Sequence, residues 1–411
     1  MNRNNIFILV LFWVTGLGGN AQRLEDYYQI AAENNPGLKA KYAAYEGALQ
    51  RIPQARSLAD PTFSFGYFIS PVETRVGAQR ARFSLTQMFP WFGSLKAQGD
   101  VAALAAEAQF QEFLDARNAL YFRVAQAWYP LYELQKHRLL EQENMRLLAS
   151  FKATALQKFE NGMGSMVDVI RVDLLLNEAR TQLEVLDKQE ASLTSRFNTL
   201  LNRSHDAAIV VADSLAAGTL LTDYRKDSLL VNHPRMAALD LKLKSAEAAE
   251  KVALKQGLPK IGVGLDYVLV DERSDMVLED NGKDVLMPMV TVTIPIFRKK
   301  YRAARQEARF MQEGAALEQE ALANELTAAY HRATFELQQQ ADLVALYAQQ
   351  SAATRQAMNL LLSAYGNSGK DFEEVLRIQQ QMLKYERLKA TALSQYFIAL
   401  EEVNYITAKT R

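Results

Sequence analysis

Two pairs of short stretches alternate large apolar residues with small or polar ones. In the first, Phe63, Phe65, Tyr67 and Ile69 fall on one face, and Ser64, Gly66 and Ser70 on the other, with Phe68 the exception. Its later counterpart sets Ile261, Val263, Leu265, Tyr267 and Leu269 against Gly262, Gly264 and Asp266. The returning stretches place Phe83, Leu85 and Phe89, then Val290, Val292 and Ile294, opposite Ser84, Thr86 and Met88, then Met289, Thr291 and Thr293. A period of two predicts strands, over about 61–70, 81–90, 260–270 and 287–296. Each has about the ten residues a tilted strand needs to cross a bilayer. A soluble hairpin packed on a core would alternate in the same way.

The rest of the chain predicts helix. Ser94 to Glu160 holds no proline except Pro130 and no glycine except Gly99; Arg298 to Tyr365 holds no proline and only Gly314. At ~1.5 Å per residue each run extends about 100 Å, several times the width of a small domain. Ser165 to Arg203 and Arg235 to Gly257, laid end to end, roughly match one such helix, and the segment between them would bulge out at mid-height. Pro130 is expected to kink its helix. Coiled coils would also give long helices, yet the apolar spacing is not a clean heptad. Abundant Ala and Gln suit helices packed side by side in a curved wall.

The chain is written twice. "NNPGLKAKYAAYEGA", from Asn34, is echoed by "NHPRMAALDLKLKSAEAA", from Asn232. Pro36 and Pro234, Pro61 and Pro259, and Gly66 and Gly264 share one separation. "FPWF" at Phe89–Phe92 returns as "IPIF" at Ile294–Phe297, and "DVIR" at Asp168–Arg171 as "EEVLR" ending at Arg377. The expected organisation is a first repeat over 22–203, an equatorial linker over 204–233 and a second repeat over 234–411, each read as helix, strand, strand, very long helix, turn, helix.

Composition removes several classes. Lysine plus arginine equals aspartate plus glutamate at 47 each, against the basic excess of a nucleic-acid protein. With no cysteine, a disulfide framework, a zinc-thiolate site, a thiol nucleophile and a lipid-modified N-terminal cysteine are all excluded. His137, His205, His233 and His331 are scattered and form no metal pair, and no phosphate loop or nucleophile motif occurs, so neither catalysis nor a cofactor is expected. Arg3, an apolar run from Ile6 to Val14 and small residues up to Ala21 predict an export signal over 1–21. The run is too short to span a membrane, which needs ~20 residues. Any insertion must therefore use the strands. Four strands cannot close a barrel, lipid tolerates no open sheet edge, and the smallest spanning barrels have about eight strands. Three chains would supply twelve. Phe89, Trp91, Phe92 and Phe297 would then form an aromatic girdle at the water interface, with Pro90 and Pro295 ending the strand pairing.

In "ENNPGLKA", "PQARSLADPTFSFGY", "SLTQMFPWFG", "LLEQENMRLLASF" and "FENGMGSMVDVIRVDLLL", taken in order, the sequence resembles the TolC family of outer-membrane efflux channels over essentially the whole mature chain. The resemblance implies a mainly α fold with four transmembrane β-strands per chain: a homotrimeric, twelve-stranded outer-membrane barrel on a long periplasmic α-helical barrel. It implies a duct joined through a periplasmic adaptor to an inner-membrane pump. "FPWFG" is most similar to the heavy-metal branch, paired with resistance-nodulation-division pumps. Without a lipidated cysteine, the chain is expected to be held in outer-membrane lipid by its barrel alone. A type I secretion duct and a soluble periplasmic coiled-coil scaffold are the competing readings.

The turns between long and returning helices are the candidate sites. "NGMGS" carries Asn161, Gly162, Gly164 and Ser165, and "GNSGK" carries Gly366, Asn367, Ser368 and Gly369. Both are expected adaptor-docking tips. Ser165 with Asp168, and Asp371 with Glu374, read as capping-box openings. In the family, acids near this turn line the periplasmic constriction; Asp168 matches that motif, and Glu374 matches through the internal repeat. Threefold symmetry would make such acids a ring of like charge. Arg171 and Arg377, one turn on, are placed to pair with them across neighbouring helices and hold the tip shut. Met163 and Met166 could be soft ligands for a Cu(I) or Ag(I) cargo, though packing is the commoner role. The connections Pro71–Gln79 and Asp271–Leu286 are expected as outer loops, the second an acidic, solvated one.

Overall fold

A computed structural model describes residues 24–211, 214–215, 233–275, 277, 279–368 and 372–409. The expected export signal, residues 212, 213 and 216–232 of the expected linker, and Gly369, Lys370 and Asp371 lie outside the described residues. The elements are α1 (Leu24–Asn34), α2 (Pro36–Arg56), β1 (Thr62–Thr74), β2 (Gly77–Phe89), α3 (Ser94–Glu160), α4 (Met166–Leu200), α5 (Pro234–Gln256), β3 (Lys260–Val270), β4 (Val285–Thr293), α6 (Arg298–Ser368) and α7 (Phe372–Ile406). The fold is mainly α with one antiparallel four-stranded sheet, ordered β1-β2-β3-β4. Among the described residues, no helix is long and apolar enough to cross a membrane.

The echoed "NNP" and "NHP" are helix starts. Asn35 caps α2, its side chain accepting from the Leu38 N–H at 3.1 Å, with Pro36 at the first helical position. His233 does the same for α5, its Nδ1 accepting from the Arg235 N–H at 3.2 Å ahead of Pro234. A proline suits this position because its missing N–H would have no intrahelical partner. α3 has 67 residues and α6 has 71, so the second long helix runs further than its sequence predicts, taking in Gly366, Asn367 and Ser368. α3 is unbroken through Pro130, so the proline costs one backbone bond without ending the helix.

The chain packs as two units that do not follow the sequence repeats; each takes segments from both. One comprises Met1–Ala31, Val124–Ala217 and Leu343–Ser394. Its core joins Leu148, Phe151 and Ala155 of α3, Val169, Val172 and Leu176 of α4, Met358 and Tyr365 of α6, and Phe372, Val375 and Leu376 of α7. The other comprises Ala32–Arg123, Gly218–Asp342 and Gln395–Arg411 and contains the sheet. Its helical core sets Leu322, Leu326, Ala333 and Leu337 of α6 against Tyr396, Ala399, Val403 and Ile406 of α7. Glu112 of α3 is held by Lys242 of α5 at 2.7 Å, with Lys41 of α2 at 4.0 Å.

Strand bounds differ from expectation in both hairpins. The first hairpin is longer: Val72, Glu73 and Thr74 pair with Gln79, Ala78 and Gly77, leaving a turn of Arg75 and Val76 where a loop over Pro71–Gln79 is expected. An irregularity between Tyr67 and Val72 absorbs Pro71, which an edge strand tolerates. Gly77 has φ +136, and a Cβ there would overlap the Asp271 carbonyl, so only glycine closes this turn. β4 ends at Thr293, three residues early, because its last partner is Lys260, just after Pro259, and nothing remains for Ile294–Ile296 to pair with. The acidic connection is tied down. The Asp271 N–H donates to the Ala78 carbonyl at 2.8 Å and the Gly282 N–H to that of Val76 at 2.7 Å. Arg273 meets Asp275 at 2.7 Å.

The His233 ring is buried, and burial, with Arg235 beside it, pushes its pKa from 6.5 down to about 4. The unfolded imidazole takes up a proton near 6.5 and the folded one only near 4. Stability is therefore lost as pH falls through that window, by about 3 kcal/mol. Urea unfolding across this window should show that loss, and His233→Asn, which keeps a capping side chain without the titration, should remove most of it.

Candidate functional site: the helix tips and the exposed sheet

At the first tip, α3 ends in a Schellman motif. The Gly162 N–H donates to the Phe159 carbonyl at 3.0 Å and the Met163 N–H to that of Lys158 at 2.9 Å. Gly162 takes φ +71, the left-handed conformation glycine adopts without penalty. Gly164 lies so close to α3 that a Cβ would stand 3.0 Å from that of Lys158. Ser165 then caps α4, its hydroxyl accepting from the Val167 N–H at 3.2 Å. Asp168 sits in the first turn, where the helix dipole favours an anion. Asn161 is still tied to α3, its N–H donating to the Gln157 carbonyl at 3.1 Å. Met163 and Met166 are exposed.

The charged residues do not pair as the sequence suggests. Arg377 binds Glu374 on its own helix, and Arg171 lies 3.9 Å from Asp168, also on its own helix. The bond between helices joins Arg171 of α4 to Glu373 of α7 at 2.8 Å. Glu373 is 74% exposed at the side chain and Arg171 43%, so this pair is worth no more than about 1 kcal/mol. The tip is held mainly by apolar packing. Phe372 lies 4.8 Å from the Tyr365 ring and edge-on to Phe151 at 6.3 Å. Val172 and Val375 are fully buried. A cation adds to this: the Lys158 ammonium lies 4.0 Å above the Tyr365 ring and donates to the Tyr365 carbonyl at 2.5 Å. Burial, with the Asp168 charge nearby, raises the Tyr365 pKa. Sequence reading missed Lys158, Tyr365 and Glu373. Lys158 and Tyr365 are 207 positions apart, and no local pattern couples them.

The sheet is inverted relative to a soluble one. Cross-strand pairs put Phe63, Phe65, Phe83, Leu85, Val263, Leu265, Val290 and Val292 on one face. Most of this face is open, including Phe63 at 64% and Val290 at 74%. The opposite face carries Ser64, Gly66, Ser84, Thr86, Gly262, Gly264 and Asp266, and β3 buries this side at alternate residues. Asp266 is fully buried and bound by Arg82 of β2. β1 and β4 are edges with no further strand beside them among the described residues. Where the strands give way to helix, Phe89, Trp91, Phe92 and Phe297 are all exposed, Phe92 and Phe297 by 80% and 79%.

This architecture recurs in known proteins. Residues 226–407 match the family model described as outer membrane efflux protein, a family of transport channels. Solved channels share the fold over nearly the full chain. The outer-membrane channel OprN is 17% identical, with 94% of this chain and 90% of that one covered and a TM-score of 0.75. The outer membrane protein VceC of Vibrio cholerae is 15% identical, with 93% and 95% covered and a TM-score of 0.73. CusC, described as forming a transmembrane channel, is 14% identical, with 93% and 91% covered and a TM-score of 0.76. No curated protein matches. The fold is thus shared with these solved structures over nearly the whole chain, and residues 226–407 are similar in sequence to the outer membrane efflux protein family.

Gly162→Ala should destabilise the first tip by about 1–2 kcal/mol, because an L side chain is strained at that φ. Hydrogen exchange at Gln157–Asp168 should accelerate accordingly, and unchanged protection would show that the turn relaxes into another form.

Proposed function

We propose that the protein is the outer-membrane exit duct of a tripartite efflux system, working as a homotrimer with its helices in the periplasm. The sheet carries this reading: its apolar face is bare and both edges are unpaired. Lipid covers the first, and only further strands can satisfy the second. Three copies of the four-stranded sheet supply twelve strands, above the minimum of about eight for a spanning barrel. A soluble scaffold would leave Phe63, Phe65 and Tyr67, each about 60% exposed, in water for no return. The conduit is passive and the pump sets the cargo; a resistance-nodulation-division pump is favoured over a type I secretion partner by the "FPWFG" wording.

The helix tips gate the duct. Asp168, Glu373 and Glu374 against Arg171 and Arg377 leave one net negative charge per copy among these five residues. Under threefold symmetry that is a modest cation-attracting ring. The glycine turn at Asn161–Ser165 and the end of α6 at Gly366–Ser368 receive the helical hairpin of a periplasmic adaptor. Docking opens the tip by competing with the Phe372–Tyr365 packing and the weak Arg171–Glu373 pair.

The protein should fractionate with outer membrane, require detergent and run as a trimer; release by osmotic shock as a soluble monomer would end this reading. In planar bilayers, Asp168→Ala with Glu374→Ala should lower cation selectivity. If selectivity and conductance both stay at wild-type values, the acids have no part in the gate.

A further inference from the structure

A basic cavity lies where the strands meet the helices. It has a volume of about 330 Å³ and is lined by Trp91, Ser94 and Gln98 near the start of α3, by Lys255 and Gln256 at the end of α5, by Lys260 at the start of β3, and by Lys300 and Tyr301 in the first turn of α6. No acidic side chain lines it. Among the described residues, Lys255, Lys260 and Lys300 have no carboxylate within ion-pair distance. The neighbouring acid, Glu250, is already taken by Arg305 at 2.8 Å and Arg309 at 3.0 Å, which hold its pKa down to about 2. Three like charges kept together without a counter-ion repel one another, and their placement is stabilised by an anion between them.

Two further features point into the same space. Ser94 is 3% exposed, and its hydroxyl has no hydrogen-bond partner. A buried hydroxyl left unpaired costs about 1–3 kcal/mol, so an acceptor at this point would be stabilising. Ser94 also opens α3, whose first intrahelical bond is from the Ala97 N–H to the Gly93 carbonyl at 3.0 Å. The Ser94 N–H is taken by the Trp91 carbonyl at 3.0 Å, but the other early N–H groups of a helix have no partner in it, and with the dipole they favour an anion. Ammonium groups, a hydroxyl donor and a helix N-terminus together suit a tetrahedral oxyanion, whose several oxygens accept all of these bonds at once.

The surroundings indicate the source of that anion. The Lys255 ammonium donates to the Phe92 carbonyl at 3.2 Å, and Trp91 both lines the cavity and belongs to the exposed girdle. The Lys300 ammonium lies 4.8 Å from the Tyr301 ring, its charge still available. The cavity therefore sits at headgroup depth, beside side chains that face acyl chains. Such basic pockets at a membrane boundary bind anionic lipid headgroups. We propose that this cavity binds the phosphate of an anionic phospholipid from the periplasmic leaflet. This rests on the channel reading, which puts the girdle at the lipid boundary.

The test is native mass spectrometry of the delipidated, detergent-held trimer titrated with phosphatidylglycerol, phosphatidylcholine, glycerol 3-phosphate or inorganic phosphate. Phosphatidylglycerol should bind at least tenfold more tightly than phosphatidylcholine, and the soluble phosphates more weakly still. Lys255→Gln, Lys260→Gln and Lys300→Gln together should abolish that preference. Lys300→Gln alone, on an exposed side chain, should reduce it about threefold if the triple variant does not assemble. Equal binding of the two lipids, wild-type preference in Lys300→Gln, or glycerol 3-phosphate binding as tightly as the lipid would overturn the proposal. A stable outer-membrane trimer giving any of these results removes the lipid site alone. A water-soluble monomer removes the channel reading and the site with it.

Discussion

The backbone groups along the free edges of β1 and β4 constrain everything else. A strand in lipid that leaves its N–H and C=O groups unpaired loses several kcal/mol for each. The sheet has only four strands, and its apolar face is turned outward. In the proposed lipid setting one copy can satisfy neither the edges nor the greasy face, and hydrogen bonding alone then calls for further strands. The small and polar residues of the other face fit the same constraint. Gly262 and Gly264 leave room for the Met88 and Met289 side chains from the flanking strands, and Asp266 is buried with Arg82.

The tip shows how magnitudes decide between candidate clamps. Ion pairs catch the eye in the sequence, yet each of those formed has an exposed arginine and two of the three lie within single helices. Burial of Phe372, Val375, Val172 and Leu148 removes far more apolar surface from water, at roughly 1.5–3 kcal/mol per large side chain. The contact between these helices is therefore held by apolar packing with a thin polar trim.

Much of this protein is legible in its sequence because the signals are local. Alternation at Phe63–Ile69 and Ile261–Leu269 marks strands, and long intervals without proline or glycine mark helices. "NNP" and "NHP" mark helix starts, and Gly162 marks a turn that needs a positive φ. Strand ends were less legible because they depend on partners. β1 and β2 continue to Thr74 and Gly77 because each supplies the other's bonds, and β4 stops when β3 runs out.

The sequence by itself determined the periodicities, and through them the classes of element and the duplication. Only the tertiary structure decided which distant side chains meet: Lys158 with Tyr365, Arg171 with Glu373 across two helices as well as with Asp168 on its own, and three lysines from three elements around Ser94. Periodicity reflects forces that repeat along one segment, so it is written locally. A contact across hundreds of residues depends on how whole helices are placed, and no short stretch of sequence encodes that placement.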